Sequence, residues 1–408
     1  MFPTTLLTTL LLALSVAANP VQLDRPLVTL PITRRLNLTS VHNLVRHDQA
    51  RAKALKLKGS NVAGNSRAVI DESVDNQAVT YVASVNVGSP ATTFSLLIDT
   101  GSSNTWVGAD TPYVRTSTSV KTSNSVSVTY GSGSFSGTEF TDTVSLGGGL
   151  TVTKQSIGVA STSTGFDGVD GILGIGPVDL TVDTLSPATS SSIPTITDNL
   201  FSQGIISAHS IGISFEPTTQ ESVFNGEIAW GGTDSSKFTG SVAFTPITNT
   251  SPANEFWGIN QSIRYGSSNT ILSTTAGIVD TGTTLVLIAT NAFNKYQTAT
   301  GGVNDANTGL LRFNNAQFSA LQSLFFINSA GTFELTANGQ IFPRALNADI
   351  GGVSGSIYGI VNDLGTNSGE GLDFINGYAF LERFYSVFDT ANKRVGFANT
   401  PFTQATTN

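Results

Sequence analysis

From residue 69 onward, apolar and polar residues follow one another in short runs that Gly, Asn, Asp or Ser interrupt. The runs are rich in Val, Ile, Thr, Phe and Tyr, the residue types that strands prefer. Stretches with helical spacing are few, and we predict short helices at 193–204, 291–300 and 315–323. The pattern therefore predicts a mostly β chain.

Length and composition narrow this picture. At 408 residues the chain is too long for one compact core, so two domains and additional segments are expected. Cysteine is absent, which excludes disulfides, thiol catalysis and cysteine-ligated zinc. A chain of this size can bury enough apolar surface without such crosslinks.

The first segment, residues 1–18, is apolar and ends in small residues before Pro20. A membrane anchor is the alternative, but the run is too short to span a bilayer and no basic flank follows it. We predict a secretory signal peptide, and hence a secreted, extracellular protein. A secreted form would offer Asn249 and Asn260 as glycosylation acceptors, and Asn37 is a third sequon.

Charge divides the chain near residue 68. Residues 1–68 hold nine basic and two acidic residues, whereas residues 69–408 hold 11 basic and 26 acidic ones. Within 40–59, apolar residues recur at helical spacing between Ser40, a possible N-cap, and Gly59, a possible stop, which predicts a basic amphipathic helix. A disordered linker is the alternative. We predict that residues 19–68 form a prosegment whose partner is the acidic body, rather than nucleic acid.

Few chemistries remain open to this sequence. The predicted mature part has a single histidine, His209, and no G-x-S-x-G motif, so a serine triad is disfavoured and His209 is assigned a structural or surface role. Neither phosphate-loop nor dinucleotide motifs occur, and we expect no metal and no cofactor. Carboxylates are left as the strong acid–base groups.

One sequence motif that contains an aspartate occurs twice. Residues 97–107 read LIDTGSSNTWV, and residues 278–284 read IVDTGTT, which places Asp99 and Asp280 181 positions apart. In each copy an apolar run delivers the aspartate at a strand end, and glycine allows a tight turn. One copy alone is ordinary turn chemistry. Two copies predict a duplicated lobe, with two carboxylates that face each other and share one proton.

These motifs resemble those of the pepsin family of aspartic proteases. VTYGSGSFSG (128–137) is similar to the family's flap, FDGVDGILGIG (166–176) to the segment behind the first active-site turn, and ERFYSVFDTANKRVGFA (382–398) to its closing strands. The resemblance covers residues 70–400. It implies a bilobal fold of two similar antiparallel β lobes, at 69–246 and 247–408, flanking a substrate cleft.

The same resemblance implies an acid endopeptidase made as a zymogen. It implies that Asp99 and Asp280 activate a water, one as general base and the other, protonated, as hydrogen-bond donor to the scissile carbonyl. The flap residues Tyr130, Gly131 and Ser132 are expected to close over the substrate. Expected partners are protein and peptide substrates with large hydrophobic residues flanking the scissile bond, the chain's own prosegment and pepstatin-like inhibitors, with no nucleic acid, no membrane and a monomeric state.

Further roles carry over from the matched motifs. The resemblance implies that Thr100 and Thr281 join the two turns, that Gly101 and Gly282 line the substrate site, and that Ser102 and Thr283 support the outer carboxylate oxygens. Trp106 is expected to hydrogen-bond Tyr130. Apolar walls beside the scissile bond are expected from Leu97, Trp106, Phe135 and Ile172, and the alternative for Leu97 and Phe135 is a plain core position.

Two expectations concern the second lobe and the prosegment. Phe374-Ile375-Asn376-Gly377 departs from the family's two apolar residues before glycine, and we expect Asn376 to hydrogen-bond the turn. A prosegment lysine, Lys56 or Lys58, is expected against the two aspartates. Two alternative interpretations remain. One is a catalytically inactive pepsin-like binding or inhibitor module, which would need a substitution in one D-T-G motif. The other is an unrelated extracellular β protein such as a lectin.

Overall fold

The computed structural model describes residues 27–36, 44–63, 79–131 and 133–408. The predicted signal segment and the residues Asn37 and Ser132 lie outside these ranges. Within the described ranges, no helix has the length and apolar character needed to cross a membrane.

The described part of the chain is built mainly from strands, so the prediction of a mostly β chain is confirmed. In the first half the strands are Val28–Leu36 (β1), Val79–Val87 (β2), Thr92–Asp99 (β3), Thr105–Val107 (β4), Val120–Thr129 (β5), Ser134–Ser145 (β6), Thr151–Thr164 (β7), Gly171–Gly174 (β8), Leu185–Ser186 (β9), Ser210–Phe215 (β10), Ser222–Trp230 (β11) and Thr239–Pro246 (β12). In the second half they are Gly258–Tyr265 (β13), Asn269–Val279 (β14), Val286–Ile288 (β15), Val303–Asn304 (β16), Leu311–Phe313 (β17), Leu324–Asn328 (β18), Gly331–Leu335 (β19), Ile357–Tyr358 (β20), Val361–Asp363 (β21), Phe374–Asn376 (β22), Phe384–Asp389 (β23) and Arg394–Asn399 (β24).

Helices are short, apart from the one that precedes the body. They are Leu44–Val62 (α1), Ile196–Ser202 (α2), Thr290–Thr300 (α3), Asn315–Ser319 (α4) and Tyr378–Leu381 (α5). The helices predicted at 193–204 and 291–300 are confirmed, and the one predicted at 315–323 ends early. Its chain leaves the helix at Ala320 and turns into the loop before β18, so the apolar Leu321 is buried from a turn rather than a helix.

The basic amphipathic helix is confirmed as α1. It continues to Val62 instead of stopping at Gly59, which is a site of close packing and not a cap. A Cβ on Gly59 would lie 2.7 Å from Phe256 and 2.8 Å from the carbonyl oxygen of Pro252. The absent side chain therefore lets α1 dock tightly against the second half of the chain.

A fourteen-stranded sheet contains most of the first half of the chain and the last two strands. Its strand order is β12-β24-β23-β10-β11-β1-β2-β3-β8-β4-β7-β6-β5-β9. Because β24 pairs with β12, this sheet crosses the predicted lobe limit at 246/247. The sequence did not predict β1, which lies in the predicted prosegment and pairs antiparallel with both β11 and β2.

A second sheet repeats part of the first. It has seven strands in the order β19-β18-β13-β14-β22-β15-β21, and a third sheet has the order β16-β17-β20. The strand ahead of each aspartate pairs in parallel with a strand from far along the chain: Leu97 with Ile172 in the first half, and Ile278 with Ile375 in the second. The two copies of the motif therefore sit in the same sheet setting.

Candidate active site

Two equivalent strand ends deliver Asp99 and Asp280. Asp99 is the last residue of β3, and Asp280 directly follows β14. Both side chains have no solvent exposure. An ionised carboxylate in such a place needs hydrogen bonds and a nearby cation, because burial strongly disfavours its charge.

The turns supply matching hydrogen bonds to the two carboxylates. Asp99 accepts from the Gly101 backbone N–H (2.9 Å) and the Ser102 hydroxyl (2.5 Å). Asp280 accepts from the Gly282 backbone N–H (3.0 Å) and the Thr283 hydroxyl (2.5 Å). Each aspartate is thus held in one rotamer by residues two and three positions further on.

Thr100 and Thr281 connect the turns to each other. The Thr100 backbone N–H donates to Thr281 Oγ1 (3.0 Å), and the Thr281 backbone N–H donates to Thr100 Oγ1 (2.9 Å). Each hydroxyl in turn donates to a carbonyl of the opposite strand, Val279 (3.3 Å) or Ile98 (3.1 Å). Four buried hydrogen bonds therefore fix the distance between the turns.

Glycine is required where the turns meet. A Cβ on Gly101 would lie 2.6 Å from Asp280 Oδ1, and a Cβ on Gly282 would lie 2.6 Å from Asp99 Oδ1. Real Cβ atoms do not come this close to oxygen, so each glycine makes room for the aspartate of the other copy.

Arg51 of α1 lies between the two aspartates. Its Nη2 donates to Asp99 Oδ1 (2.5 Å) and Asp280 Oδ1 (2.9 Å), and its Nε donates to Asp280 Oδ2 (2.8 Å). The guanidinium is buried with the carboxylates. An arginine presents its donors in a fixed planar fork, which suits two carboxylates at once.

The two carboxyl groups differ in pKa. Burial raises the pKa of Asp99, assisted by the charge of Asp280, and Arg51 only partly offsets this. Burial also acts on Asp280, but Arg51, Thr283 and the Gly282 N–H outweigh it and lower that pKa. The pKa of Arg51 is raised, because the two carboxylates more than offset the effect of burial. The arrangement can hold one protonated and one ionised carboxyl group.

The cation at the aspartates is an arginine, so the expectation of Lys56 or Lys58 at this place is wrong. Lys56 instead donates to the Thr366 hydroxyl and to Glu370 (3.1 Å). Lys58 donates to the carbonyl of Val182 (2.8 Å), and burial lowers its pKa to about 8. Lys56 and Lys58 lie one to two turns after Arg51 on α1, where their side chains contact the walls of the cleft rather than its centre.

Sequence reasoning also missed Asp48, which is fully buried one turn before Arg51. Its Oδ2 accepts the Leu285 backbone N–H (2.8 Å). Both residues lie on the apolar stripe of α1 that also carries Leu44 and Leu55. Charged residues within an otherwise apolar helix face were the available signal.

Two of the three predicted flap residues, Tyr130 and Gly131, lie over α1. Tyr130 closes a turn through its backbone N–H, which donates to the Gly133 carbonyl (2.8 Å). Gly131 has a φ of +81°, and a Cβ there would lie 2.4 Å from the Ala50 carbonyl oxygen of α1. The hairpin tip therefore packs directly against α1, and Tyr130 is buried beneath it.

Trp106 does not form the expected hydrogen bond with Tyr130. Trp106 lowers the pKa of the tyrosine as a nearby donor does, although burial keeps that pKa raised well above its usual value. Neither the indole Nε1 nor the phenol oxygen has a partner among the described residues at hydrogen-bonding distance and angle. The indole N–H therefore acts on the Tyr130 hydroxyl from outside hydrogen-bonding geometry.

An apolar cluster surrounds these two residues. Trp106 stacks on Phe135 with 4.3 Å between ring centroids, and the edge of Phe166 meets both Trp106 (4.8 Å) and Tyr130 (5.5 Å). The four residues expected to form apolar walls all belong to this cluster: Leu97, Trp106, Phe135 and Ile172. They lie between the flap and the Asp99 turn.

Asn376 makes a different contact from the one expected. Its side chain bonds to Gln261 instead of the turn, and only its backbone carbonyl reaches Asp280, whose N–H it accepts (3.2 Å). Elsewhere, His209 Nε2 pairs with Asp198 (2.8 Å) at helix α2 and stacks on Phe201. Among the described residues, no three His, Asp or Glu side chains cluster as metal ligands do.

Comparisons with known proteins agree with this geometry. The family model described as eukaryotic aspartyl protease matches residues 80–400. Polyporopepsin of Irpex lacteus is 70% identical over 333 residues, which are 82% of this chain and 98% of that protein. Pepsin A of Sus scrofa is 29% identical over 415 residues, which are 93% of this chain and 97% of that protein.

A solved structure shows the same fold. The crystal structure of the aspartic proteinase from Irpex lacteus matches with a TM-score of 0.81 and 61% sequence identity, covering 94% of this chain and 100% of that one. The predicted bilobal pepsin-like fold is thereby confirmed. With both D-T-G turns intact, the chain belongs to the pepsin family of eukaryotic aspartyl proteases and is an aspartic-type endopeptidase.

Proposed function

We propose that the chain is a secreted zymogen whose mature form hydrolyses peptide bonds at acid pH, with a water activated between Asp99 and Asp280. The observation that carries the proposal is the position of Arg51: a prosegment cation binds the same carboxylate oxygens that the reaction uses. In this state the enzyme is folded but blocked.

The mechanism follows from the two carboxyl groups once α1 has left. The ionised one takes a proton from the water, and the protonated one donates a hydrogen bond to the scissile carbonyl and stabilises the tetrahedral intermediate. Aspartic proteases are a standard example of two carboxyl groups that share one proton, so activity falls when that proton is lost. This places the working range at acid pH.

Acid also releases the prosegment. Arg51 stays charged at every relevant pH, so only the carboxylates can end the attraction. With α1 bound, Arg51 lowers the pKa of Asp280, whereas burial keeps the pKa of Asp99 raised. Binding of α1 is therefore strongest while Asp280 is ionised, and it weakens as pH falls and Asp280 takes up a proton.

Other prosegment contacts strengthen the block. Arg34 of β1 is buried beside Glu382, with 3.6 Å between Nε and Oε1, and it donates to the Gln220 carbonyl (3.1 Å). Glu382 also accepts from the Tyr81 hydroxyl (3.1 Å). The prosegment is thus anchored in the sheet by β1 and in the cleft by α1, which supports the division into residues 19–68 and a mature body.

The flap and its apolar cluster support a preference for large hydrophobic residues beside the scissile bond. Tyr130 moves from α1 to the substrate and helps exclude water. Leu97, Phe135 and Ile172 provide an apolar surface next to the Asp99 turn. A monomer is proposed, with a signal peptide at residues 1–18, and Asn249 and Asn260 are exposed as glycan acceptors need to be.

One experiment tests this function. The precursor is purified at neutral pH and shifted to acid, while its mass, its N-terminus and its hydrolysis of denatured haemoglobin are followed with and without pepstatin. We expect self-cleavage near residue 68, followed by pepstatin-sensitive activity that peaks below neutrality. A precursor that is active before cleavage, or one that stays intact and inactive in acid, contradicts the proposal.

A further inference from the structure

A pair of side-chain amides lies behind Asp280. Gln261 Nε2 donates to Asn376 Oδ1 (3.3 Å), and Asn376 Nδ2 donates to Gln261 Oε1 (3.1 Å). Neither residue has any solvent exposure. Each amide therefore provides both a donor and an acceptor for the other in a place where water does not compete.

The pair acts on the strand that supports Asp280. Asn376 is the last residue of β22, which lies between β14 and β15. Its backbone carbonyl accepts the Asp280 N–H (3.2 Å), and the next residue, Gly377, has no room for a side chain because the Leu285 carbonyl oxygen would be 2.2 Å from its Cβ. Moving Asn376 thus moves the backbone partner of Asp280.

In the first lobe, apolar residues occupy the positions that correspond to this amide pair. Leu173 pairs with Ile98 in parallel, and Asn376 pairs with Val279, so Leu173 and Asn376 occupy equivalent positions before their aspartates. Leu173 is fully buried and belongs to the main hydrophobic core. Amide chemistry at this position is therefore particular to the second lobe.

The partner position differs in the same way. Val85 lies opposite Phe94 in the first hairpin, and Gln261 lies opposite Thr275 in the second; Phe94 and Thr275 are 181 residues apart, as the two aspartates are. Val85 is buried in the main core. Two apolar residues of one lobe thus correspond to two hydrogen-bonded amides of the other.

We propose that the Gln261–Asn376 pair positions Asp280, which makes both residues positioning residues for the reaction. This inference rests on the proposed role of Asp280. A buried amide that loses its partner keeps an unsatisfied donor and acceptor, and the structure relieves them by shifting or by admitting water. Because the Asn376 carbonyl on β22 accepts the Asp280 N–H, such a shift displaces the Asp280 backbone and its carboxylate.

The test compares Gln261→Leu, Asn376→Leu and the double variant, each as the acid-matured enzyme. Active sites are counted with pepstatin, and kcat, KM, the pH–rate profile and Tm are measured. We expect each single variant to lose about tenfold in kcat per active site with KM within about twofold, and to shift a limb of the pH profile. The double variant is expected to regain kcat and Tm, because it places apolar residues at both positions, as the first lobe does.

A matched control separates positioning from stability. Tyr296 donates to Gln340 (3.0 Å) in the interior of the second lobe, so Tyr296→Phe also leaves a buried amide with a lost partner. We expect it to lower Tm and to leave kcat and the pH profile unchanged. Single variants of Gln261 and Asn376 that behave like this control, with reduced Tm and normal kcat and pH profile, would overturn the inference.

A milder variant covers the case in which the leucine variants do not fold. Gln261→Asn keeps an amide but is one methylene too short to reach both atoms of Asn376, and the same readouts apply with the same two outcomes. Failure of the proposed function looks different: the wild type itself would be inactive in acid, or Asp280→Asn would remain active.

Discussion

Arg51 binds Asp280 through two of its nitrogens, Nε at 2.8 Å from Oδ2 and Nη2 at 2.9 Å from Oδ1, whereas it reaches Asp99 through Nη2 alone. Helix α1 therefore makes more hydrogen bonds to the second D-T-G turn than to the first. The same asymmetry accounts for the opposite pKa shifts of the two carboxyl groups.

The first prediction concerns the dyad. Asp99→Asn and Asp280→Asn should each lower hydrolysis by at least about a thousandfold, because an amide can neither take the proton of the water nor share one. Acid proteolysis measured alongside circular dichroism provides the check, with Asp142→Asn as a control for an aspartate that is buried outside the dyad. Substantial activity in either folded dyad variant would remove that residue from the mechanism.

The second prediction concerns the block. Arg51→Ala leaves two buried carboxylates without their cation, a loss of about 3–5 kcal/mol for a buried pair, so the precursor should convert at a higher pH and faster than the wild type. Gel mobility and activity across a pH series measure this. Arg35→Ala removes the same charge from an exposed prosegment position and should leave the conversion pH nearly unchanged. Equal effects of the two variants would show that net charge, not the Arg51 contacts, holds the prosegment.

The third prediction concerns the flap. The Tyr130 hydroxyl is buried without a partner among the described residues, so Tyr130→Phe should not reduce the Tm of the precursor. In the mature enzyme the hydroxyl is free to bond near the substrate, and its loss should lower kcat roughly tenfold, the effect of one hydrogen bond. A variant with normal kcat and a reduced Tm would make Tyr130 a structural residue instead.

These sites show what the sequence could and could not reveal. The two aspartates were predictable from the duplicated phrase, and the threonines and the flap from the resemblance of their motifs to those of the pepsin family. Arg51 was not identified: its place on the apolar stripe of α1 indicated a buried charge, but helix periodicity does not say which groups of the body neutralise it. Gln261 carries no local signal at all: its importance arises from Asn376, 115 residues further on.

Strand β1 was not predicted either, because its place in the sheet depends on residues that are distant in the sequence. Its sequence, VTLPITRRL, contains a proline and two arginines, which argue against an interior strand. The sheet accepts it because Arg34 is neutralised by Glu382 and because β2 and β11 both offer backbone partners. Tertiary context here outweighs local preference.

The fourth prediction concerns Glu139, a buried carboxyl group on β6 that the mechanism does not use. Burial raises its pKa from 4.5 to about 7, although the Ser156 hydroxyl donates to it (2.5 Å), and its second oxygen has no partner among the described residues. In an unfolded chain the group ionises near its usual pKa. Below pH 4.5 Glu139 is protonated in both the folded and the unfolded state, so it does not change the free energy of unfolding. Between pH 4.5 and about 7 it ionises in the unfolded chain but not in the folded one, so the free energy of unfolding falls as pH rises.

Glu139→Gln should accordingly stabilise the mature enzyme near neutral pH, by up to about 3 kcal/mol, and have little effect in acid. Thermal unfolding between acid and neutral pH measures the difference. Glu334→Gln is the matched control, because Glu334 also accepts from a serine hydroxyl (2.6 Å) but is only half-buried. A Glu139 variant whose stability relative to the wild type does not change with pH would contradict the prediction.

The mutual fit of Gly101 and Gly282 has a consequence for how this sequence can evolve. Each glycine clears space for an aspartate encoded 179 or 183 codons away, so a side chain added in one copy would collide with the other copy as well as with Arg51. Compensation from within the same lobe cannot restore the lost space. The two lobes can diverge in their loops and surfaces, but substitutions at the two D-T-G turns are constrained together.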